Sequence, residues 1–385
     1  MHILIAPDSF KETLDSDKVG EIIKSEILSA FPSYNISVFP ISDGGEGALS
    51  CFMKYKNGGV IKKVLAHDPL MNVIEAEYLL YSDNTAVIET AKVIGLNLVG
   101  DKKNPSLTTS YGVGELILDA LGNKATKIIL TLGGSSTNDA GTGMATALGY
   151  QFRTNNGEAI LPRGDNLISI TSIDTSHADT RINATEFVAM CDVTTEPIGV
   201  NGATFTFANQ KGAKSRDELI KLEAGVVNIC DRLKSEFNVD LSSITGGGAA
   251  GALGMGTVAF LSGHLTPGFD VLMQVSNLEQ AIRDVDVVIT GEGKLDSQSF
   301  NGKVVGEITK ITKRYNKRAF VLCGISDVSK EIYQSAGIDA VFPCSNNHSR
   351  TIAEILAVAE RELRETTREF IKEYLMKSLN GNIVL

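Results

Sequence analysis

The sequence is short of cations: 36 lysines and arginines stand against 46 aspartates and glutamates, for a net charge of −10. That deficit argues against a nucleic-acid or anionic-membrane surface, and an anionic substrate must then be caught by a few local lysines rather than by the overall field. Cysteine is scarce as well. The five, at positions 51, 191, 230, 323 and 344, form no C-x-x-C pair, so neither a disulfide framework nor a structural zinc site is indicated, and a reducing cytoplasm fits best. No stretch reads as a membrane span, because the only long weakly polar run, residues 246–263, is so rich in glycine that it reads as a buried helix and loop. Nor does "MHILIAPDSF" carry the basic start of a signal peptide; it reads as a first strand. What is present is 385 residues, 43% hydrophobic and 21% charged, the profile of a soluble globular protein long enough for two domains.

Apolar runs alternate with helical periods at both ends of the chain. "HILIAP" (2–7) reads as a strand, and Val19, Ile22, Ile23, Ile27 and Ala30 then share one helical face ending before Pro32. "ISVFPI" (36–41) is a second strand, followed by a glycine turn and a helix through about Tyr55. From 60 to 99 the pattern changes to extended runs, with a hairpin turn at "SDN". Alternation resumes with strands at 285–290, 318–324 and 339–344, helices over about 303–315 and 329–336, and one long last helix placing Ile352, Ile355, Leu356, Leu363, Phe370 and Leu375 near one face. Two early and three late strands make a doubly wound, five-stranded parallel α/β sheet, in residues 1–59 plus 285–385, interrupted by a second domain at 60–284.

In such sheets ligands sit beyond the carboxyl ends of the strands. Here those ends read "APDSFK", "SDGGEG", "TGEGKLD", "GISD" and "PCSNN", with carboxylates in the first four, glycines in three of these, and lysines in "APDSFK" and "TGEGKLD". A second site candidate follows the strand "KIILTL": Gly133, Gly134, Ser135, Ser136, Thr137 and Asn138 offer small residues, hydroxyls and free N–H groups suited to a phosphate or carboxylate. A helix cap at Ser135 or Ser136 would explain part of this run, but not Thr137 and Asn138. No Gly-Lys-Ser/Thr follows, so it is not a Walker P-loop. The G-x-G-x-x-G at 246–251 follows no convincing strand, which argues against a dinucleotide and for close backbone packing or a phosphate contact. Asp192, after an apolar run, and Lys211, in the turn "QKG", read singly as a turn former and a solvated cation.

Taken in order, "APDSFKETL" (6–14), "SDGGEG" (42–47), "TTSYGVGELI" (108–117), "LGGSSTNDAGTGMATALG" (132–149), "CDVTTEPIGVNGATFTFANQKGA" (191–213), "GGGAAGALG" (246–254) and "DVVITGEGKLDSQSFNGK" (286–303) resemble the glycerate kinases of the first type. That family usually has glycine where this chain has Glu12 and Ala140. The resemblance implies ATP-dependent phosphorylation of D-glycerate, usually at the 2-hydroxyl, by a flavodoxin-like domain interrupted by one of restriction-endonuclease-like character, with the active site in the cleft between them.

Phosphoryl transfer rests on positioning and charge neutralisation. Lys11, Lys211 and Lys294, with Ser9, are the candidates to hold the glycerate carboxylate and the moving phosphoryl group, and Lys11 is also a candidate catalytic residue. Asp192 and then Asp296 are the candidate bases. Gly133, Gly134, Ser135, Ser136 and Asn138 are the candidate ATP-phosphate ligands. Asp43, Glu46 and Glu292, the last with Asp296, are the candidate magnesium ligands. The expected partner is the small-molecule substrate, with a homodimer left open. A kinase of a related hydroxy or sugar acid, or a non-catalytic ligand sensor, are the alternative readings.

Overall fold

The structure, a computed structural model, describes residues 1–10, 13–41, 47–300, 302–347 and 349–379. The chain folds as two compact units, one of Met1–Asp43, Lys54–Lys56 and Phe269–Leu385, the other of Gly44–Met53 and Asn57–Gly268.

In the first unit five strands lie in the order Asn35–Val38, His2–Pro7, Val287–Gly291, Arg318–Cys323, Ala340–Pro343, each paired in parallel with its neighbour. Numbered along the unit this is 2-1-3-4-5. Ile3, Leu4, Ile5, Val287, Val288 and Ile289 are all fully buried, which is why these segments appear as unbroken apolar runs: a parallel strand covered on both faces has no polar side. The helix Ser16–Ala30 begins at Asp15, whose carboxylate accepts from Lys18 N at 2.7 Å. It buries Val19, Ile22, Ile23 and Ile27, while Ala30, at its last turn, is exposed.

The C-terminal segment departs from the expected single helix. It is divided into Ile352–Leu356, Ala359–Phe370, a π turn at Ile371–Leu375 and Met376–Leu379. A capping box between Thr351 and Glu354 starts the first piece as a separate element, and Val358 breaks it from the next with φ −128°. Leu363, Phe370 and Leu375 are buried as the period requires, but Ile352 and Leu356 are each 52% exposed. Arg364 and Arg368 bind Glu26 of the first helix at 2.9 and 2.7 Å.

In the second unit a six-stranded sheet runs His264–Thr266, Glu186–Met190, Lys127–Thr131, Thr85–Glu89, Val73–Leu80, Val60–His67. The first four are parallel; the last two extend the sheet antiparallel, and the hairpin expected at "SDN" is there, turning with Asn84 at φ +64°. The helix Tyr111–Gly122 buries Val113, Leu116, Ile117 and Leu121 in the core under this sheet. A small antiparallel sheet of Gln151–Thr154, Ala159–Ile160 and Ile170–Asp174 shares a second core with the helix Arg216–Phe237. Residues 238–245 form turns and no strand, so the glycines after them lack the setting of a dinucleotide fingerprint.

Candidate active site

The four parallel strands of the second unit direct their carboxyl ends to one edge, and the glycine–serine loop leaves from the end of Lys127–Thr131. Most of that loop faces inward. Gly133 and Gly134 keep solvent exposure, whereas Ser135, Ser136, Thr137 and Asn138 are buried. The Ser136 N–H and hydroxyl both donate to the Ile94 carbonyl, at 2.7 and 2.9 Å, Thr108 Oγ1 donates to Ser136 O at 3.0 Å, and Asn138 Nδ2 reaches Thr204 Oγ1 at 3.3 Å. Neither serine caps a helix; the next one, Thr142–Ala147, starts at Gly141 with no side-chain cap.

Two features mark this segment as shaped for something besides stability. Thr131 Oγ1, Thr137 Oγ1 and Asn138 Oδ1 are buried with no hydrogen-bond partner among the described residues, and each such atom costs on the order of 1–3 kcal/mol. The backbone around them is left-handed at three alanines, Ala140 (φ 54°), Ala250 (φ 54°) and Ala252 (φ 65°). Unsatisfied polar groups and strained dihedrals in folded proteins gather at functional sites.

Lys211 lies in the middle of this arrangement. Its turn is fixed by Gly212, at φ +103°, whose Cα packs on the Lys103 backbone so tightly that a Cβ would stand 2.3 Å from Lys103 O. Lys211 is 2% exposed, and its ammonium donates to Thr137 O at 2.7 Å and Ser135 Oγ at 3.0 Å. Burial pulls it down to about 7, against the opposing pull of the Asp139 carboxylate. Asp139, fully buried, is pushed upward by desolvation and held back by hydrogen bonds from Ser110, Gly141 and Gly143.

Asp192 follows the strand Glu186–Met190, is exposed, and accepts from Gly268 N at 2.8 Å. Burial pushes the thiol of Cys191 beside it up to about 11, which disfavours the thiolate. The residue that sequence reasoning missed on this edge is Glu89, at the end of Thr85–Glu89. It is 3% exposed and accepts from Gly47 N and Leu49 N at 3.1 and 3.2 Å, at the start of the helix Ala48–Tyr55. Its signal was available, as the charged last residue of the apolar run "TAVIE".

In the first unit the other candidates gather at the carboxyl edge of the five-stranded sheet. Ser9 is half-buried, and its N–H donates to Asp8 Oδ1 at 2.7 Å. Glu292 is 8% exposed, and its carbonyl accepts from Gly324 N at 3.1 Å. Lys294 is exposed and paired with Asp327 at 2.8 Å, a hydrogen bond that holds its ammonium above the usual range. Asp296 Oδ1 accepts from Gln298 N at 2.9 Å. Glu292, Lys294 and Asp296 thus follow one another on the segment after Val287–Gly291, where Lys294–Leu295 pairs in parallel with Ile325–Ser326. Lys11, Asp43 and Glu46 lie outside the described residues. Among the described residues no three His, Cys, Asp or Glu cluster in a way that could hold a metal. Magnesium, however, binds through one or two carboxylates and substrate phosphates rather than an all-protein cage, and Glu292 and Asp296, which flank the short strand Lys294–Leu295, fit that chemistry.

Comparison with known proteins decides the family. The model of the glycerate kinase family matches residues 3–375. The chain belongs to the glycerate kinase family. As a member it is a phosphotransferase with an alcohol acceptor. A glycerate kinase of Bacillus subtilis (strain 168) is 39% identical over 345 residues, 89% of this chain and 90% of its own. A glycerate 2-kinase of Escherichia coli (strain K12) is 38% identical over 344 residues, again 89% and 90%. The crystal structure of a protein from Salmonella typhimurium LT2, provisionally assigned as glycerate kinase 2, superposes with a TM-score of 0.82 at 35% identity, over 99% of each chain. No helix among the described residues is long and apolar enough to cross a membrane.

Proposed function

We propose that this kinase transfers the γ-phosphoryl group of ATP to the 2-hydroxyl of D-glycerate, giving 2-phospho-D-glycerate and ADP. The observation that carries this reading is the likeness, over nine-tenths of both chains, to a relative named glycerate 2-kinase. The 2-1-3-4-5 strand order supports a flavodoxin-like description of the first unit, and the second is assigned the restriction-endonuclease-like character of the family.

In this reading Gly133 and Gly134, the exposed members of their loop, offer backbone N–H groups to the ATP phosphates, with Ser135, Ser136 and Asn138 shaping the turn behind them. Ser9, Lys11 and Lys294 receive the glycerate carboxylate. Asp192 takes the proton of the attacking hydroxyl, with Asp296 as the second candidate. Magnesium, when bound, shields the charge on the phosphoryl oxygens, and Asp43, Glu46 and Glu292 are the carboxylates to hold it.

Purified protein with ATP, magnesium and D-glycerate, followed by 31P NMR, tests the reaction, with L-glycerate and tartronate as controls. A 2-phosphoglycerate signal is the expected result. A 3-phosphoglycerate signal overturns the regiochemistry, and ATP binding without a phosphorylated product overturns the substrate.

A further inference from the structure

The Gly133–Asn138 loop is gripped from its buried side by two charged residues that make no use of solvent. Lys211 reaches it from the turn after the helix Ala203–Phe207 and donates to two of its members, the Thr137 carbonyl and the Ser135 hydroxyl. Asp139 closes its far end. This one carboxylate accepts from Ser110 N (2.6 Å), Ser110 Oγ (2.8 Å), Thr109 Oγ1 (3.4 Å), Gly143 N (3.2 Å) and Gly141 N (3.3 Å). It thereby ties the loop to the first residues of two helices, Tyr111–Gly122 and Thr142–Ala147. Gly143 leaves room for this, since a Cβ there would stand 2.1 Å from Thr109 Oγ1 and 2.7 Å from Asp139 Oδ2.

A buried cation and a buried anion are costly components, and a fold that needed only a strand-to-helix turn would use neither. Lys211, a candidate for the glycerate carboxylate on sequence grounds, is 2% exposed, and its ammonium donates into the loop instead. We propose that Asp139 and Lys211 are positioning residues that hold the glycine–serine loop in the shape that receives the nucleotide phosphates. Lys211 draws the Thr137 carbonyl and Ser135 hydroxyl inward, so that the loop keeps Gly133 and Gly134 at the solvent side. Asp139 compensates the lysine's charge and fixes the point where the loop becomes helix. Neither residue touches the reacting atoms. The inference rests on the reading of this loop as the phosphate site, because a loop with another occupant would be held just as firmly.

The test uses the full chain with Lys211→Met and Lys211→Gln, Asp139→Asn, and Ser135→Ala as a milder variant that keeps the lysine. Steady-state kinetics give KM for ATP and for D-glycerate separately. Hydrogen exchange of peptides covering residues 131–141 is measured with and without a non-hydrolysable ATP analogue. The expected result is a KM for ATP raised about tenfold or more with KM for D-glycerate within about twofold, and analogue protection of 131–141 that is strong in the wild type and lost in the variants. Lys211→Gln, which keeps an amide NH2 donor, should retain more than Lys211→Met, and the Lys211 and Asp139 effects should be non-additive, as for residues in one network.

Protection preserved in folded variants with KM for ATP unchanged overturns the positioning role while leaving the phosphate site intact. A uniform loss of active enzyme with both KM values unchanged also overturns it, since that is what a purely structural pair would do. Wild-type peptides left unprotected by the analogue overturn the phosphate reading itself. If Lys211→Met and Asp139→Asn fail to fold, Lys211→Gln and Ser135→Ala carry the same readouts.

Discussion

A Cβ added to Gly251 would stand 2.0 Å from the carbonyl oxygen of Thr137, and the Gly251 carbonyl in turn accepts from Ala140 N at 3.0 Å. The two glycine-rich stretches of the sequence are therefore one object, packed backbone on backbone. Gly251→Ala has no space and the wrong φ, +68°. Overpacking costs about 1–3 kcal/mol and the left-handed backbone about 1–2 kcal/mol more. Urea unfolding should show a loss of roughly 3 kcal/mol. A loss under about 1 kcal/mol would mean that the stretches separate readily.

The parallel sheet of the first unit was legible because its three central strands bury both faces and end in glycine and aspartate turns, so that the pattern is local. The long last helix was misread for a local reason too, since the helical period runs on through residues 352–375 while the backbone breaks at Val358, φ −128°. The buried site was harder. Lys211 in "QKG" looks solvated in sequence, and what buries it, Ser135 and Thr137, lies more than seventy residues away. Asp139 and Glu89 went unmarked for the same reason: their donors Ser110 and Leu49 are 29 and 40 residues distant. A carboxylate's role inside a core depends on partners that periodicity does not name.

Lys211 gives the protein a pH signature. Its folded value of about 7 lies below the ordinary 10.5, so between those limits the unfolded chain binds more protons than the folded one, and stability rises with pH across that window. Below about pH 7 the group is charged in both states and its penalty is complete. The stability of the wild type minus that of Lys211→Met should therefore grow from pH 6.5 to pH 9, by at most about 1.4 kcal/mol per unit. Parallel urea titrations at the two pH values measure it. An equal difference at both would show that the ammonium is not desolvated.

The assignment of the base can be separated from the backbone hydrogen bonds that both candidates accept. Asp192 Oδ1 accepts from Gly268 N and Asp296 Oδ1 from Gln298 N. Asparagine keeps a carbonyl oxygen for that bond while removing the charge. Asp192→Asn should lower kcat by about 10²–10⁴, the range for loss of a general base, and Asp296→Asn by less than about tenfold. Reversed magnitudes would exchange the roles, and near-native turnover in both would remove both residues from the proton transfer.

Ala140 carries the same strain in a form that can be relieved. It sits at φ 54°, a backbone conformation that favours glycine, and it is fully buried, as is Ala145 in the helix that follows. Replacing either by glycine removes one buried methyl, so that term cancels in a comparison. At Ala145 glycine also loses helix propensity, about 1 kcal/mol. At Ala140 it instead releases a left-handed alanine, a gain of about 1–2 kcal/mol set against the extra freedom of the unfolded chain. Ala140→Gly should therefore be close to neutral, and Ala145→Gly less stable than it by roughly 2 kcal/mol in urea unfolding. Equal losses would show that the Ala140 backbone is not held in the left-handed region in solution.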